Sequence, residues 1–475
     1  MRIEHIIISL LLNILTIPIK AQSGYDTYQH VPFGWATCED ADGTPYALNG
    51  GEGVETPRET VLFSSGSDDR QRIYNAIKSH DIIILDGSQG DFIFSRSVSI
   101  SGIRNKTIVG RNNARLCTQW HITPEMREVL TAANLSQYSS QAGTGGTLSN
   151  GKNVDEACEL HTRQTLIDYT GDKDENYRNA GIFSLKADNE NIIIRNITFV
   201  GPGSVDIGGT DLISNNGATH VWIDHCEFID GLDGNLDSGY RTGDPQFVTY
   251  SWNIFRYTDR SFSHPLSNGL FWQENNLQYV TYAYNIWGNG CQGRMPWGRG
   301  ARLHALNNYY NCPGNSSCIG LAEGSQALIE GNYAEAGVKS PFKPGSYSEN
   351  LYVARKNSNF GSYSDKSNTT QSLDVPYDYT MFLPLYVPEI LQGAQGAGAT
   401  LDNPLLDITR TDTDKQQYKK QNNSACYNIA GLKVAPDTPG IIIKRGKKYK
   451  INNYEDFSNR SWGYGRSTCR RTAQG

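Results

Sequence analysis

The chain has 475 residues and carries 43 Lys and Arg against 49 Asp and Glu, a formal charge of −6. Hydrophobic residues make up 38% and charged ones 19%, with 48 Gly, 27 Tyr and 4 Met, and mean hydropathy is −0.51. These values exclude a multi-span membrane protein and a highly charged disordered chain. They give no ground for a nucleic-acid partner, and they suit a turn-rich β protein.

Met1–Ala21 places Arg2 ahead of a largely apolar run from Ile6 to Ile19, with the small residue Ala21 where a signal peptidase would cut. The run is too short to span a bilayer, so residues 1–21 read as a signal peptide and the protein as secreted: extracellular, periplasmic or at the cell surface. All nine Cys lie beyond it. Export permits disulfides, and Cys312 and Cys318 are close enough in sequence to close a small surface loop. Arg70–Lys78 reads as a short helix covering the open end of a repeating β structure. Ile82–Gly87 and Lys106–Gly110 read as the opening coils of that structure. Residues 118–187 interrupt the rhythm, with a helix expected over Glu125–Tyr138 and an exposed Ser/Gly/Thr-rich loop over 139–151.

From Ile192 one pattern recurs: a β-branched or aromatic run, a polar residue (usually Asn), then an aromatic. Its bend residues read as Asn196, His225, Asn253, Asn285, Asn307 and Asn332, spaced by 29, 28, 32, 22 and 25 residues. A floor near 22 with variable excess is the mark of a solenoid whose coils share a fixed minimum and whose loops bulge outward. Asn suits such a bend because it tolerates the left-handed region and bonds along a ladder of its own kind. The repeats therefore predict an all-β parallel β-helix over 22–401. A C-terminal extension over 402–475 comes after it, with a polar linker at 407–425 and a small β module at Tyr427–Ile451. The basic run from Lys444 to Lys448 in that module reads as a solvated face.

Three groups on the central coils carry chemistry. Asp211, Asp233 and Asp237 are acids that neighbouring coils would stack on one face, a set suited to a hard cation such as Ca²⁺. Arg294 and Arg299, with Arg260 one coil earlier, offer guanidinium forks for the carboxylates of a polyanion. His220, Asp224 and His225 invite a triad reading, but no Ser stands in a GxSxG motif, so Asp224 and His225 read as structural.

In this setting the chain resembles the pectate lyases of polysaccharide lyase family 1. The matching stretches are Asn105–Gly110, Val221–His225, Asp233–Asp237, Val248–Asn253 and Arg294–Arg299, in the family's order, within residues 30–401. The resemblance implies a right-handed parallel β-helix that cleaves α-1,4-galacturonan by β-elimination, leaving unsaturated oligogalacturonides. It implies Asp211, Asp233 and Asp237 as calcium ligands, Arg294 as the base at C5, and Arg299 and Arg260 as substrate contacts. It further implies a polygalacturonate or pectin partner and a monomer without a membrane span. To act as a base, Arg294 must give up a proton that guanidinium normally keeps, which calls for neighbouring positive charge and an alkaline optimum.

Three positions depart from the family pattern. Gly209 stands where a second acid is common, Arg260 where pectate lyases usually carry Lys and pectin lyases tend to carry Arg, and Trp297 where many members carry Arg. The alternatives are a calcium-independent pectin lyase acting on methylesterified galacturonan, a galacturonan hydrolase on the same solenoid, and a non-catalytic β-helix that binds carbohydrate.

Overall fold

The computed structural model describes residues 31–133, 142–205, 207–239, 245–262, 270–272, 278–322, 324–344, 352–356, 358 and 373–405, and in the C-terminal segment 426–428, 433–434, 440–444 and 447–451. Residues 1–21, read as a signal peptide, lie outside the described residues. Two compact units are present, one of them Asp26–Thr409 and the other including Arg410–Gly475. In the latter, strands Cys426–Asn428, Lys433–Val434, Gly440–Lys444 and Lys447–Ile451 form an antiparallel sheet. Among the described residues no helix is long and apolar enough to cross a membrane.

The larger unit is a parallel β-helix, as the repeats predict. Sheet A has ten strands, from Glu59–Phe63 to Tyr352–Lys356; sheets B and C have eight each, from Phe92–Phe94 to Tyr333–Ala334 and from Val98–Ile100 to Phe342–Pro344. Every pairing within them is parallel and runs between successive coils. Successive coils therefore set like positions about 4.8 Å apart, and side chains stack in columns. The interior column Phe199, Phe228, Phe255, Trp287, Tyr310 shows it, with ring centroids 5.1, 5.1, 5.4 and 5.1 Å apart and planes within 15° of parallel. Burying such rings contributes about 1.5–3 kcal/mol each.

The bend between sheets A and B occupies two adjacent columns where the sequence suggests one. Asn196, His225, Trp252, Tyr284, Asn307 and Gly331 all take the left-handed conformation, with φ from 48° to 65°. The asparagine ladder stands one residue later. Nδ2 of Asn253, Asn285 and Asn308 donates to Oδ1 of the next coil's Asn285, Asn308 and Asn332 at 3.1, 3.1 and 3.0 Å. Asn253, Asn285 and Asn332 thus belong to the ladder, and Asn196, His225 and Asn307 to the turn. Trp252 and Tyr284 bear left-handed strain of roughly 1–2 kcal/mol each, which the buried ladder beside them offsets.

Helix α1 (Arg70–Ser79) buries Ile73, Ala76 and Ile77 in the main core, closing one end of the solenoid. Helix α2 (Pro124–Ala132) is capped by Thr123, whose hydroxyl accepts from Met126 N; residues 134–138 of the expected helix lie outside the described residues. The expected loop at 139–151 is instead part of a hairpin, Ala142–Thr147 against Asn153–Glu156. It is followed by a helix the sequence pattern did not flag, α3 (Ala157–Thr170). Leu148, Val154, Leu160 and Ile167 pack together across hairpin and helix, and that tertiary contact overrides the loop-like composition.

Cys38, Cys117, Cys226, Cys291, Cys312 and Cys318 are free and buried. Cys312 and Cys318, whose spacing would allow them to close a loop, are therefore not bridged. Both thiols point into the core, where Cys312 Sγ lies 3.9 Å from Met295 Sδ, instead of closing a surface loop.

Two segments cross the outer face of sheet A. From the N-terminal side, Trp35 N donates to Thr281 Oγ1 at 3.0 Å, Ala36 N to Thr249 Oγ1 at 3.2 Å and Gly51 N to Thr107 Oγ1 at 3.1 Å. From the C-terminal side, the amides of Asn196 and Asn307 clasp the backbone of Leu401 and Phe382 in paired bonds of 2.7–3.0 Å.

Candidate active site

The outer faces of sheets A and C differ in kind. On sheet A, Arg195 Nε donates to Asp224 Oδ2 at 2.8 Å, His225 Nδ1 lies 2.7 Å from the same oxygen, and Ser251 Oγ donates to Asp224 Oδ1 at 2.6 Å. All four side chains are buried, and Arg195 Nη1 donates to Pro404 O. Burial alone would raise the Asp224 carboxyl, but His225 and Arg195 outweigh it and hold it low. Ser251 serves the carboxylate and not the imidazole, so this is a charge-balanced structural network and no nucleophile is being activated.

Sheet C carries the other candidates. Its strands alternate inward and outward: in Leu236–Gly239, Leu236 and Ser238 are buried while Asp237 and Gly239 are half-exposed. Asp237 pairs in register with Ser214 of the preceding coil, and Ser214 Oγ donates to Asp211 Oδ2 at 2.7 Å. Asp211, just before that strand, is 8% exposed, and its Oδ1 is buried without a hydrogen-bond partner among the described residues. Burial, then the nearby Asp233 charge, push the Asp211 carboxyl up to about 7, against the Ser214 hydrogen bond and the attraction of Arg294. Asp211, Asp233 and Arg294 thus share one electrostatic neighbourhood, with Asp237 on the adjoining strand.

Among the described residues no group of three or more His, Cys, Asp or Glu side chains is gathered closely enough to hold a metal by itself. What is gathered is the Asp211–Asp233 pair. A buried, unpartnered carboxylate oxygen beside a second carboxylate is an arrangement that a hard cation would satisfy, with remaining ligands from Asp237, substrate or water. Gly209 cannot extend the acid set in this backbone. Its φ is 149°, and a Cβ there would meet Arg178 O at 2.8 Å and Leu232 Cδ2 at 2.9 Å.

Arg294 is half-buried in the left-handed region at φ 54°. The chain is pinned just beyond it, where Met295 is fully buried and its N–H donates to Cys318 O at 3.1 Å. Left-handed strain in a non-glycine residue costs about 1–3 kcal/mol and persists where surrounding structure imposes it. Arg299 ends the strand Trp297–Arg299 on its outward face, its Cζ 5.1 Å from the Trp297 ring centroid. Arg260 stands on the loop between sheets B and C, and its Nη1 donates to Gly201 O at 2.8 Å.

Sequence reasoning missed the residues that hold that loop. Asp230, 2% exposed, accepts from Thr258 N at 2.7 Å, Thr258 Oγ1 at 2.5 Å and Ser261 Oγ at 2.9 Å. Arg127 of α2 donates through Nη1 to Asp259 O at 2.7 Å and Ser261 O at 2.6 Å, both flanking Arg260. The run Thr258-Asp259-Arg260-Ser261 opposite an acid one coil earlier was the available signal.

The family model described as pectate lyase matches residues 150–381. The probable pectate lyase A of Aspergillus flavus is 28% identical over 239 residues, covering 48% of this chain and 69% of the relative. The pectate trisaccharide-lyase of Thermotoga sp. (strain RQ2) is 30% identical over 192 residues, covering 38% of this chain and 50% of the relative. Among solved structures, a pectate lyase from Paenibacillus sp. 0602 aligns with a TM-score of 0.50 at 14% identity, covering 79% of this chain and 97% of that one.

Proposed function

Because this chain belongs to the pectate lyase family, and is a polysaccharide lyase, we propose that it cleaves α-1,4-galacturonan by calcium-assisted β-elimination, leaving unsaturated oligogalacturonides. The observation that carries the reading is the buried, unpartnered Asp211 carboxylate oxygen within the electrostatic reach of Asp233 and Arg294.

In this reading Asp211 and Asp233, with Asp237 beside them, would hold Ca²⁺, and Arg299 and Arg260 take substrate carboxylates in their forks. A calcium ion there would offset the acids' charge and, as a Lewis acid, stabilise the charge that develops on the carboxylate next to C5. Arg294 accepts the C5 proton. As the C5–H bond breaks, its electron pair forms the C4–C5 double bond and the C4–O bond breaks, the leaving oxygen taking a proton. Only a neutral guanidine can accept a proton. Fixed positive groups around the developing charge supply the larger share of the rate. Met1–Ala21 would direct export, residues 22–401 would form the catalytic solenoid, and 402–475 would be an appended module.

The test is the ultraviolet absorbance of polygalacturonate digests with and without EDTA. Elimination creates an absorbing conjugated double bond; it should appear with Ca²⁺ and vanish in chelator. Saturated products would instead identify a hydrolase, and full activity in EDTA would remove the metal role of the three aspartates.

A further inference from the structure

The chain reaches Asp211 through Gly208, Gly209 and Thr210. Both glycines lie at positive φ, 58° and 149°, and glycine loses more conformational freedom on ordering than any other residue. A carboxylate at the end of such a run is aimed only as well as the run is held. Arg178 holds it, from the helical turn Asn176–Asn179 that leads into the preceding coil's strand of sheet C. Its carbonyl accepts from Thr210 N at 3.1 Å and from Thr210 Oγ1 at 3.3 Å, and its Nε donates to Gly208 O at 3.4 Å. A Cβ on Gly208 would lie 3.1 Å from Arg178 Nη2, and one on Gly209 2.8 Å from Arg178 O. The missing side chains are what let Arg178 close on the run.

Arg178 is itself fixed. Its N–H donates to Glu175 O at 3.0 Å, and its Nη2 lies 3.8 Å from Glu159 Oε1. Arg163 of α3 joins the two acids: Nη1 donates to Glu159 at 2.9 Å, and Nε and Nη2 donate to the two Glu175 oxygens at 2.5 and 2.8 Å. Glu175 is buried and left-handed at φ 57°, a conformation that persists where surrounding structure imposes it. The helix inserted between sheets B and C therefore ends in a clamp on the run that presents Asp211. We propose that Arg178 is a positioning residue for Asp211 and sets the calcium affinity there, the clamp standing in for the acid that Gly209 does not supply. This rests on the calcium reading above and deepens it. A run that presents Asp211 for a fraction f of the time raises the apparent Kd by 1/f. Excess calcium restores the arrangement, so affinity carries the loss and turnover at saturating calcium does not.

The test is calorimetry of CaCl2 binding, without substrate, to the wild type and to Arg178→Ala. The variant should bind Ca²⁺ roughly 3–20-fold more weakly, the effect of one long hydrogen bond from a charged group. At saturating calcium its kcat and its KM for polygalacturonate should stay within about twofold of the wild type. An unchanged calcium Kd overturns the proposal, and so does a raised KM at unchanged Kd, which would make Arg178 a substrate contact. Hydrogen exchange of the calcium-free wild type, resolved to single amides, is an independent arm that needs no variant to fold. Slow exchange at the Thr210 amide supports the clamp, and exchange at the rate of an unprotected amide overturns it. A wild type that takes up no calcium overturns the calcium reading itself, and this proposal with it.

Discussion

Asp230 touches no substrate in the proposed reading, yet replacing it should cost binding. Its two oxygens accept three hydrogen bonds from Thr258 and Ser261, and the side chain is out of reach of water to share the load. Asp230→Asn keeps one acceptor oxygen and turns an N–H toward donors that previously faced a carboxylate. Losing one or two hydrogen bonds to a charged group costs about 2–4 kcal/mol. The two Arg127 bonds to the carbonyls on either side of Arg260 remain, so part of the loop's order survives. With about 1.5–3 kcal/mol left to disfavour the ordered loop, the population presenting Arg260 falls roughly 10–100-fold. Initial rates of unsaturated-product formation across a range of polygalacturonate concentrations should then show KM raised by that factor. The kcat should stay within about threefold, because Arg294 and the acid pair are untouched. The calcium concentration for half-maximal activity should not move. A collapse of kcat at unchanged KM, or a shifted calcium titration, would refute the reasoning, since either would place Asp230 in the chemistry and not under the Arg260 loop.

Arg294→Lys should lower kcat by roughly 10²–10⁴-fold, the usual share of a general base, while calorimetry on an oligogalacturonate shows near-normal affinity; normal turnover at saturation would make it a binding residue. Burial raises the Asp211 carboxyl to about 7, so in the proposed reading calcium binding displaces a proton from it. Apparent Ca²⁺ affinity should therefore fall as pH drops below about 7 and level off above it, as read by calorimetry in buffers of different ionisation heat. The same shift makes the metal-free protein lose stability as pH rises from the unfolded carboxylate value near 4 through 7, because the unfolded chain releases that proton first; added calcium should reverse the loss, and urea melts at several pH values would show it. Asn285→Ala strips partners from Asn253 N, Asn308 Oδ1 and Tyr250 O at once, all buried, and should destabilise the fold by about 3–5 kcal/mol, seen as a lower urea midpoint at unchanged slope.

The solenoid was legible because its period is written in residues that must stack: β-branched runs, an aromatic, and asparagine at the bend. The exact bend column was not. Trp252 and Tyr284 occupy left-handed positions that their residue types do not advertise, so the asparagine one step later drew the eye. Asp211, Asp233 and Arg294 could be picked out from the sequence as neighbours because they fall on nearby coils of the repeat. Asp230 and Arg127 were not, since each acts on backbone groups of a loop reached only through the fold. The hairpin and α3 were hidden for a similar reason: a Gly- and Ser-rich stretch becomes a strand only when Leu160 and Ile167 cover it.

The N-terminal segment crossing sheet A sets an order of assembly. A solenoid alone grows coil upon coil, each needing only its predecessor. Trp35, however, finds its acceptor on Thr281, 246 residues later, and Leu401 reaches back 205 residues to Asn196. During synthesis at about 5–20 residues per second, the first segment waits roughly 12–50 s before its docking surface exists. In that interval Trp35 and its neighbours have no native cover, and the young coils have a bare outer flank. Refolding from denaturant should therefore be limited by closure of these long loops and not by formation of the first coils.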